Sequence, residues 1–230
     1  MNAEKRGYNM SKKRKLKNNF AGSSPKEMDL VFMDGRQISN IGGNLIRFLE
    51  SGGRHPKNKF FPNHCGIIIE ANNDIHKCKV IQAGLRKVEI KELSIWSKNT
   101  KINVVIKRCT RPELEQRKRQ LKHWLKNQVG KKYDYLAIVW MTLRAIVLYC
   151  IIKNKFLRWL LMPIKNIFSS KERFTCSELI GRAFQEIVGI KMYYNIHYTN
   201  LTPNNEYMSK KFRTIKRIYN FQYEEEEELK

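Results

Sequence analysis

The chain has 230 residues, the size of one domain or of one domain with appendages. With 42% hydrophobic and 11% aromatic residues it has the apolar matter for a core, which excludes a wholly disordered chain. Lys and Arg number 45 against 21 Asp and Glu, a net charge of +24; this predicts attraction to polyanions but does not choose among nucleic acid, an anionic membrane face and an acidic polymer.

Residues 1–27 read as a flexible basic arm, with seven Lys or Arg against one Glu between Met1 and Asn19. No apolar run follows these charges, so no secretory signal is read; a cytoplasmic or peripheral-membrane location is expected, and association with a virus particle suits the same charge. The body, residues 28–222, opens with a short strand at 28–32. Gly, Asn, Lys and Pro make 51–63 a loop. The β-branched run 64–70 predicts a buried strand, 71–74 a turn, and 78–83 the returning strand, ended by Gly84. Residues 102–107 predict a further strand, and the sheet is expected to be antiparallel. Thr110 as cap, Pro112 in the first turn and Glu113 open a helix, with Leu114, Leu121, Trp124, Leu125 and Val129 as its apolar stripe and Gly130 as its stop.

The run 136–152 is apolar but for Thr142 and Arg144, and 156–168 follows after Lys153 and Lys155. A spanning helix needs about 20 apolar residues, and a charge at its centre costs about 2.5–3.5 kcal/mol. The first run is short and holds Arg144 in its middle. The insert 136–170 is therefore expected to lie on an anionic membrane surface, where Trp140, Trp159, Lys153, Lys155, Arg158 and Lys165 suit the interface, or to pack over the domain as an ordinary hydrophobic element. A last helix opens at 174–180, with Leu179, Ile180, Ala183, Phe184 and Ile187 as its inner stripe. Five consecutive glutamates at 224–228 make 223–230 an acidic tail.

The five cysteines are odd in number and scattered, with no CxxC, which argues for reduced thiols and against a disulfide framework. Thr175-Cys176-Ser177-Glu178 fits a capping box: Thr175 is the N-cap and Glu178 reaches back. Cys176 then sits at the first helical position, where free N–H groups and the helix dipole favour a thiolate, the nucleophilic form. Locally, a small buried residue at a helix start fits equally well. A nucleophile needs a base, and His64 begins a strand, with Gly66 reducing bulk nearby. A turn centred on Asn73 puts Gln82 opposite His64, within reach to accept from the imidazole and hold one tautomer; a one-residue slip would send it to the other face. His64-Cys65 with His76 and Cys78 matches no zinc spacing, so no metal is expected. His55, His123 and His197 stand alone. The basic helix at 111–128 carries Arg117, Lys118, Arg119 and Lys122, but no recognition motif accompanies them, so specific nucleic-acid binding is not expected.

In the order His64 (HCGIII), Gln82 (VIQAG), Tyr133-Asp134 (GKKYDY) and Cys176 (TCSELIGRAF), the sequence resembles the circularly permuted NlpC-type branch of the papain-like cysteine peptidases, close to its YiiX-like bacterial and viral members. Residues 28–32 resemble the family's opening strand, with Met28 where Gly is usual, and Thr202-Pro203-Asn204-Asn205 resembles the short Pro-containing segment after the Cys helix. The likeness runs over about residues 28–208. It implies an α+β fold in which an antiparallel sheet packs against the nucleophile helix, with the apolar insert as an addition. It also implies Cys176 as nucleophile, His64 as base, Gln82 as the orienting residue and Tyr133 beside the oxyanion, with no cofactor. The implied activity is that of a cysteine hydrolase or amidase working through an acyl-thioester, on a lipid-linked or cell-wall peptide amide or ester, or passing the acyl group to another acceptor. The long insert, and Gln where relatives carry Glu, His or Asn, depart from the pattern. The alternative is a catalytically silent binding or structural protein of the same fold, on a membrane or in a virus particle.

Overall fold

The computed structural model describes residues 24–35, 60–147, 154, 156, 161, 164–193 and 196–220. Its strands are β1 (Leu30–Gly35), β2 (His64–Glu70), β3 (Lys79–Ala83), β4 (Val88–Glu92), β5 (Ile102–Cys109), β6 (Lys132–Tyr133), β7 (Arg173–Phe174) and β8 (Phe212–Ile218). Six of them form one antiparallel sheet in the order β4-β3-β2-β1-β5-β8, while β6 and β7 pair in parallel. The pair is tied to the large sheet through Val88 N–H to Lys131 C=O at 2.7 Å and Tyr133 N–H to Arg86 C=O at 3.1 Å. The helices are α1 (Ser94–Ser97), α2 (Glu113–Lys126), α3 (Tyr135–Ile146), α4 (Cys176–Arg182) and α5 (Pro203–Met208). A wider, π-type stretch (Ala183–Val188) continues α4 and ends at Gly189, whose φ of 84° is left-handed. The class is mixed α+β, as the sequence predicts.

Alternation along the strands sorts side chains onto two faces. Leu30, Phe32, Cys65, Ile67 and Ile81 turn to one face and meet Leu121 and Leu125 of α2 and Leu179 and Ile180 of α4. Val31, Met33, Ile68, Val80, Val104 and Ile106 turn to the other, where Leu93 and Trp96 cover them. Each fully buried Leu, Ile or Phe contributes about 1.5–3 kcal/mol, so the sheet is held from both sides. At the entry to β1, Met28 has φ 72° and donates its N–H to Ile68 C=O at 2.7 Å. That left-handed backbone gives a physical reason for the glycine usual here in the resembled family. Beside it, Asp29 accepts two bonds of 2.8 Å from Arg108.

Several elements differ from expectation. Ile67 pairs with Ile81 and Ile68 with Val80, two residues away from the expected hairpin register. The short helical turn Ile75–Lys77 lengthens the connection and moves its centre. Continuing the register puts Gln82 opposite Gly66, diagonal to His64, and the two-residue shift keeps it on the same face. Gly66 serves strand packing: a Cβ there would lie 2.6 Å from Val80 Cγ1 and 2.9 Å from the Ile81 carbonyl oxygen. Thr110 does not cap α2; its hydroxyl donates to Lys211 C=O at 3.0 Å, and Pro112 occupies the cap position. Val129 lies beyond the helix end and is exposed.

Of the expected insert, α3 covers Tyr135–Ile146, about 18 Å of helix. No helix among the described residues is long and apolar enough to cross a membrane. Arg144, the charge inside the apolar run, turns toward the protein and donates to Leu161 C=O at 3.3 Å. Trp140 meets Phe168 edge-on at 6.0 Å. Residues 1–23, 36–59, 148–153, most of 155–163 and 221–230, which include most of the basic arm, most of the expected loop 51–63 with His55, and the acidic tail, lie outside the described residues. At the inner end of the arm, Ser24 C=O accepts from Arg108 at 2.8 Å, and Glu27 pairs with Lys122 at 2.6 Å.

Candidate active site

The site is built where α4 begins. Pairing of β6 with β7 sets Tyr133 beside Phe174, two residues before Cys176. Thr175 is extended, and its Oγ1 accepts from the Glu178 N–H at 3.1 Å, so Cys176 is the first helical residue. The expected capping box is only half formed. Glu178 does not reach back; its Oε1 accepts from Ser169 Oγ at 2.6 Å and from Arg182 Nη2 at 3.3 Å. The complete box stands at Thr202 and Asn205, opening α5 with Pro203 in its first turn. Gly181 lets α4 sit close to its neighbours: a Cβ there would lie 2.8 Å from Leu201 Cδ1.

His64 opens β2, and its Nε2 is hydrogen-bonded to Gln82 Oε1. An amide oxygen only accepts, so Nε2 carries a proton and Nδ1 is left as the base toward Cys176. Gln82 is itself oriented: its Nε2 donates to Glu89 Oε1 at 3.2 Å, and Glu89 pairs with Lys91 at 2.6 Å. A carboxylate can only accept, so it turns the amide NH2 to itself and the amide oxygen to the histidine. Glu89 is the direct cross-strand partner of Gln82. A Cβ on Gly84 would strike the Glu89 carboxylate, so the glycine at the end of β3 leaves room for this contact.

Electrostatics separate Cys176 from the other described thiols. The Cys65 thiol, by hydrogen bonding, is the largest influence holding Cys176 well below the usual thiol range; burial opposes it, and the charge and hydrogen bond of His64 add to it. Burial works against a charged His64, but the Cys176 thiolate, hydrogen bonds to Cys176 and Gln82, and the Glu89 charge together outweigh it, so the imidazole is more basic than usual. A lowered thiol beside a raised imidazole favours transfer of the Cys176 proton to His64. Burial pushes Cys65, Cys78 and Cys109 the other way. Tyr133 is pushed well up by burial and by the charges of Cys176 and Cys65, so its phenol stays protonated as a donor.

The structure therefore brings together all four residues singled out in the sequence: His64, Gln82, Tyr133 and Cys176. Three further residues, to which the sequence assigns no part in this site, stand beside them. Glu89 was detectable, since alternation along VEIKE presents it on the face of Gln82 once the strands are paired. Cys65 sits next to His64, and strand alternation assigns its side chain to the opposite face. Glu206 lies in α5 and is fully buried; its Oε2 is 3.3 Å from Cys65 Sγ, and its Oε1 is without a hydrogen-bond partner among the described residues. Burial, together with the Cys176 charge, keeps Glu206 protonated well above the carboxylate range.

Other candidates resolve into structural roles. His76 bonds Ser97 Oγ at 2.6 Å, His123 bonds Asn127 at 3.0 Å, and His197 caps Tyr198–Asn200. On α2, Lys118 and Lys122 pair with Glu27, and Arg117 donates to Ile187 C=O at 3.0 Å.

No protein-family model matches the chain, and no curated protein matches it. Its fold is similar to that of the metalloprotein YiiX from Escherichia coli O157:H7, known from a crystal structure, with a TM-score of 0.53 and 15% identity over 84% of this chain and 97% of that chain. At that identity the likeness is one of fold, and a YiiX-like fold is what it supports. The neighbour is described as a metalloprotein. Here, among the described residues, no group of three or more His, Cys, Asp or Glu is arranged to hold an ion.

Proposed function

We propose that this protein is a cysteine hydrolase of the permuted papain-like type, cleaving an amide or ester of an acyl group through a thioester on Cys176. The observation that carries this reading is the polarised hydrogen-bonded chain Glu89–Gln82–His64 beside the helix-start thiol of Cys176, which is held well below the usual thiol range. The Cys176 thiolate attacks the substrate carbonyl carbon. The oxyanion is met by the Cys176 N–H, free at the first turn of α4, and by the Tyr133 phenol. The tetrahedral species collapses, the C–N or C–O bond breaks, and the His64 imidazolium gives its proton to the leaving amine or alcohol. Water then attacks the thioester while neutral His64 takes its proton; the acid leaves, the thiolate returns, and the imidazolium is restored. Gln82 holds the imidazole in the tautomer these steps need, as the orienting member of a triad does. An alcohol or amine in place of water makes the same site an acyltransferase.

The test is alkylation by a small thiol reagent across pH, read at each cysteine by mass spectrometry. Cys176 is expected to react well below the pH at which Cys65, Cys78 and Cys109 do, and His64→Ala is expected to narrow that gap. Treatment with an activated acyl ester is expected to leave one acyl group on Cys176. If Cys176 titrates like the other thiols and takes no acyl group, the fold serves binding and the hydrolase reading fails.

A further inference from the structure

We infer that the outer face of α3, with the cations beside the site, is a docking surface for an anionic lipid bilayer. Leu136, Val139, Leu143, Ile146 and Val147 follow one another at helical spacing and share one face. All five are between 41% and 53% exposed, while Ala137, on the opposite side, is fully buried. The stripe starts at the site. Tyr135 packs against Tyr133 with ring centroids 5.1 Å apart, its hydroxyl donates to the Leu85 carbonyl, and Leu85 is itself 62% exposed. An apolar surface continuous from the rim of a site along a helix marks an interaction surface.

Charge selects the partner. Arg86 and Lys87 follow Leu85, Lys87 bridges to Lys132 of β6, and all three side chains are exposed. An apolar helical stripe with cations at its edge is the pattern of a helix lying in the plane of an anionic membrane, its apolar side about 5–10 Å into the boundary layer. A second copy of this chain would bring these cations against a molecule of charge +24. A nucleic acid would engage the cations and leave the stripe in water. In the membrane-bound orientation the Tyr133 side of the site faces the lipid surface. The inference stands without the hydrolase reading, because its test reads binding and not reaction.

The experiment is sedimentation of the full chain with vesicles, either of phosphatidylcholine alone or of phosphatidylcholine and phosphatidylglycerol in equal parts. Wild-type protein is expected to bind the mixed vesicles and to bind phosphatidylcholine far less. Val139→Glu with Leu143→Glu is expected to weaken binding to mixed vesicles by at least about tenfold. Lys87→Glu with Lys132→Glu is expected to cost about fivefold per cation and to flatten the salt dependence. All four side chains are exposed, so circular dichroism and thermal unfolding should match wild type; should the Glu pair fail to fold, the Ser pair reads the same loss. The inference is overturned if mixed vesicles bind the Val139/Leu143 variant as well as wild type, or if the wild-type chain self-associates without lipid and this variant does not. Absence of wild-type binding overturns it as well.

Discussion

Two helices leave the same parallel strand pair and meet opposite fates. β6 runs through Asp134 into α3, and β7 runs through Thr175 into α4. Each start is capped by a side-chain oxygen, Asp134 Oδ1 accepting from Ala137 N–H at 3.0 Å and Thr175 Oγ1 from Glu178 N–H at 3.1 Å. α4 reads CSELIGR and carries a Glu and an Arg, yet all seven residues are buried. α3 reads YLAIVWMTLRAI and is almost wholly apolar, yet half its large side chains stand exposed. The difference lies in partners. Ser177 Oγ donates to Leu201 C=O at 2.5 Å, Glu178 has Ser169 and Arg182, and the Arg182 guanidinium lies 5.0 Å from the Phe174 ring centre. Internal partners lower the cost of burying these polar groups, although Glu178 Oε2 and Arg182 Nε have no hydrogen-bond partner among the described residues. Composition ranks the two helices in the wrong order.

If the α4 side carries both stability and chemistry, His64→Ala should slow acyl-thioester formation by about 10²–10⁴-fold and Cys176→Ala should abolish it, as followed by mass spectrometry. Phe174→Ala, at the foot of α4, should cost about 3–5 kcal/mol in urea unfolding, whereas Leu143→Ala on the outer face of α3 should stay within about 0.5 kcal/mol. Equal costs at the two positions would dissolve the contrast.

A third test uses pH. Burial, with Asp134 adding to it, raises the Glu178 carboxyl from 4.5 to about 7, against the pull of Ser169 and Arg182. Between those values the folded chain keeps a proton that the unfolded chain has released. Stability therefore falls as pH rises through that window, by roughly 3 kcal/mol in all. Unfolding measured from about pH 4.5 to above pH 7 should show the slope, and Glu178→Gln should make it shallower, leaving the part of the same sign that buried Glu206 supplies. The smallest effect concerns Cys65. Its hydrogen bond is the leading influence on the Cys176 thiolate, so Cys65→Ala should move the Cys176 alkylation midpoint upward while leaving the fold in place. An unchanged midpoint would show that His64 alone holds the charge.

Much of the site was legible because it rests on local rules. A capped helix start marks Cys176, and a β-branched run after His64 marks β2. The hairpin register expected from the turn at Asn73 is two residues off, and Gln82 still reaches His64 because a shift of two preserves the face. Glu206 was not legible. A Glu in a short helix reads as a surface residue, and only the packing of α5 against Cys65 buries it.

The sequence by itself determined the alternation that makes the strands, the caps that start α3 and α4, and the residue types able to supply a thiolate and its base, because each depends on neighbours within a few positions. Only the tertiary structure decided which of those residues meet. Cys176 came to lie beside Cys65 and Glu206, and the apolar side of α3 to be left uncovered among the described residues. Those outcomes depend on strand order and helix placement, which join residues more than a hundred positions apart, and local propensity carries no information about such pairs.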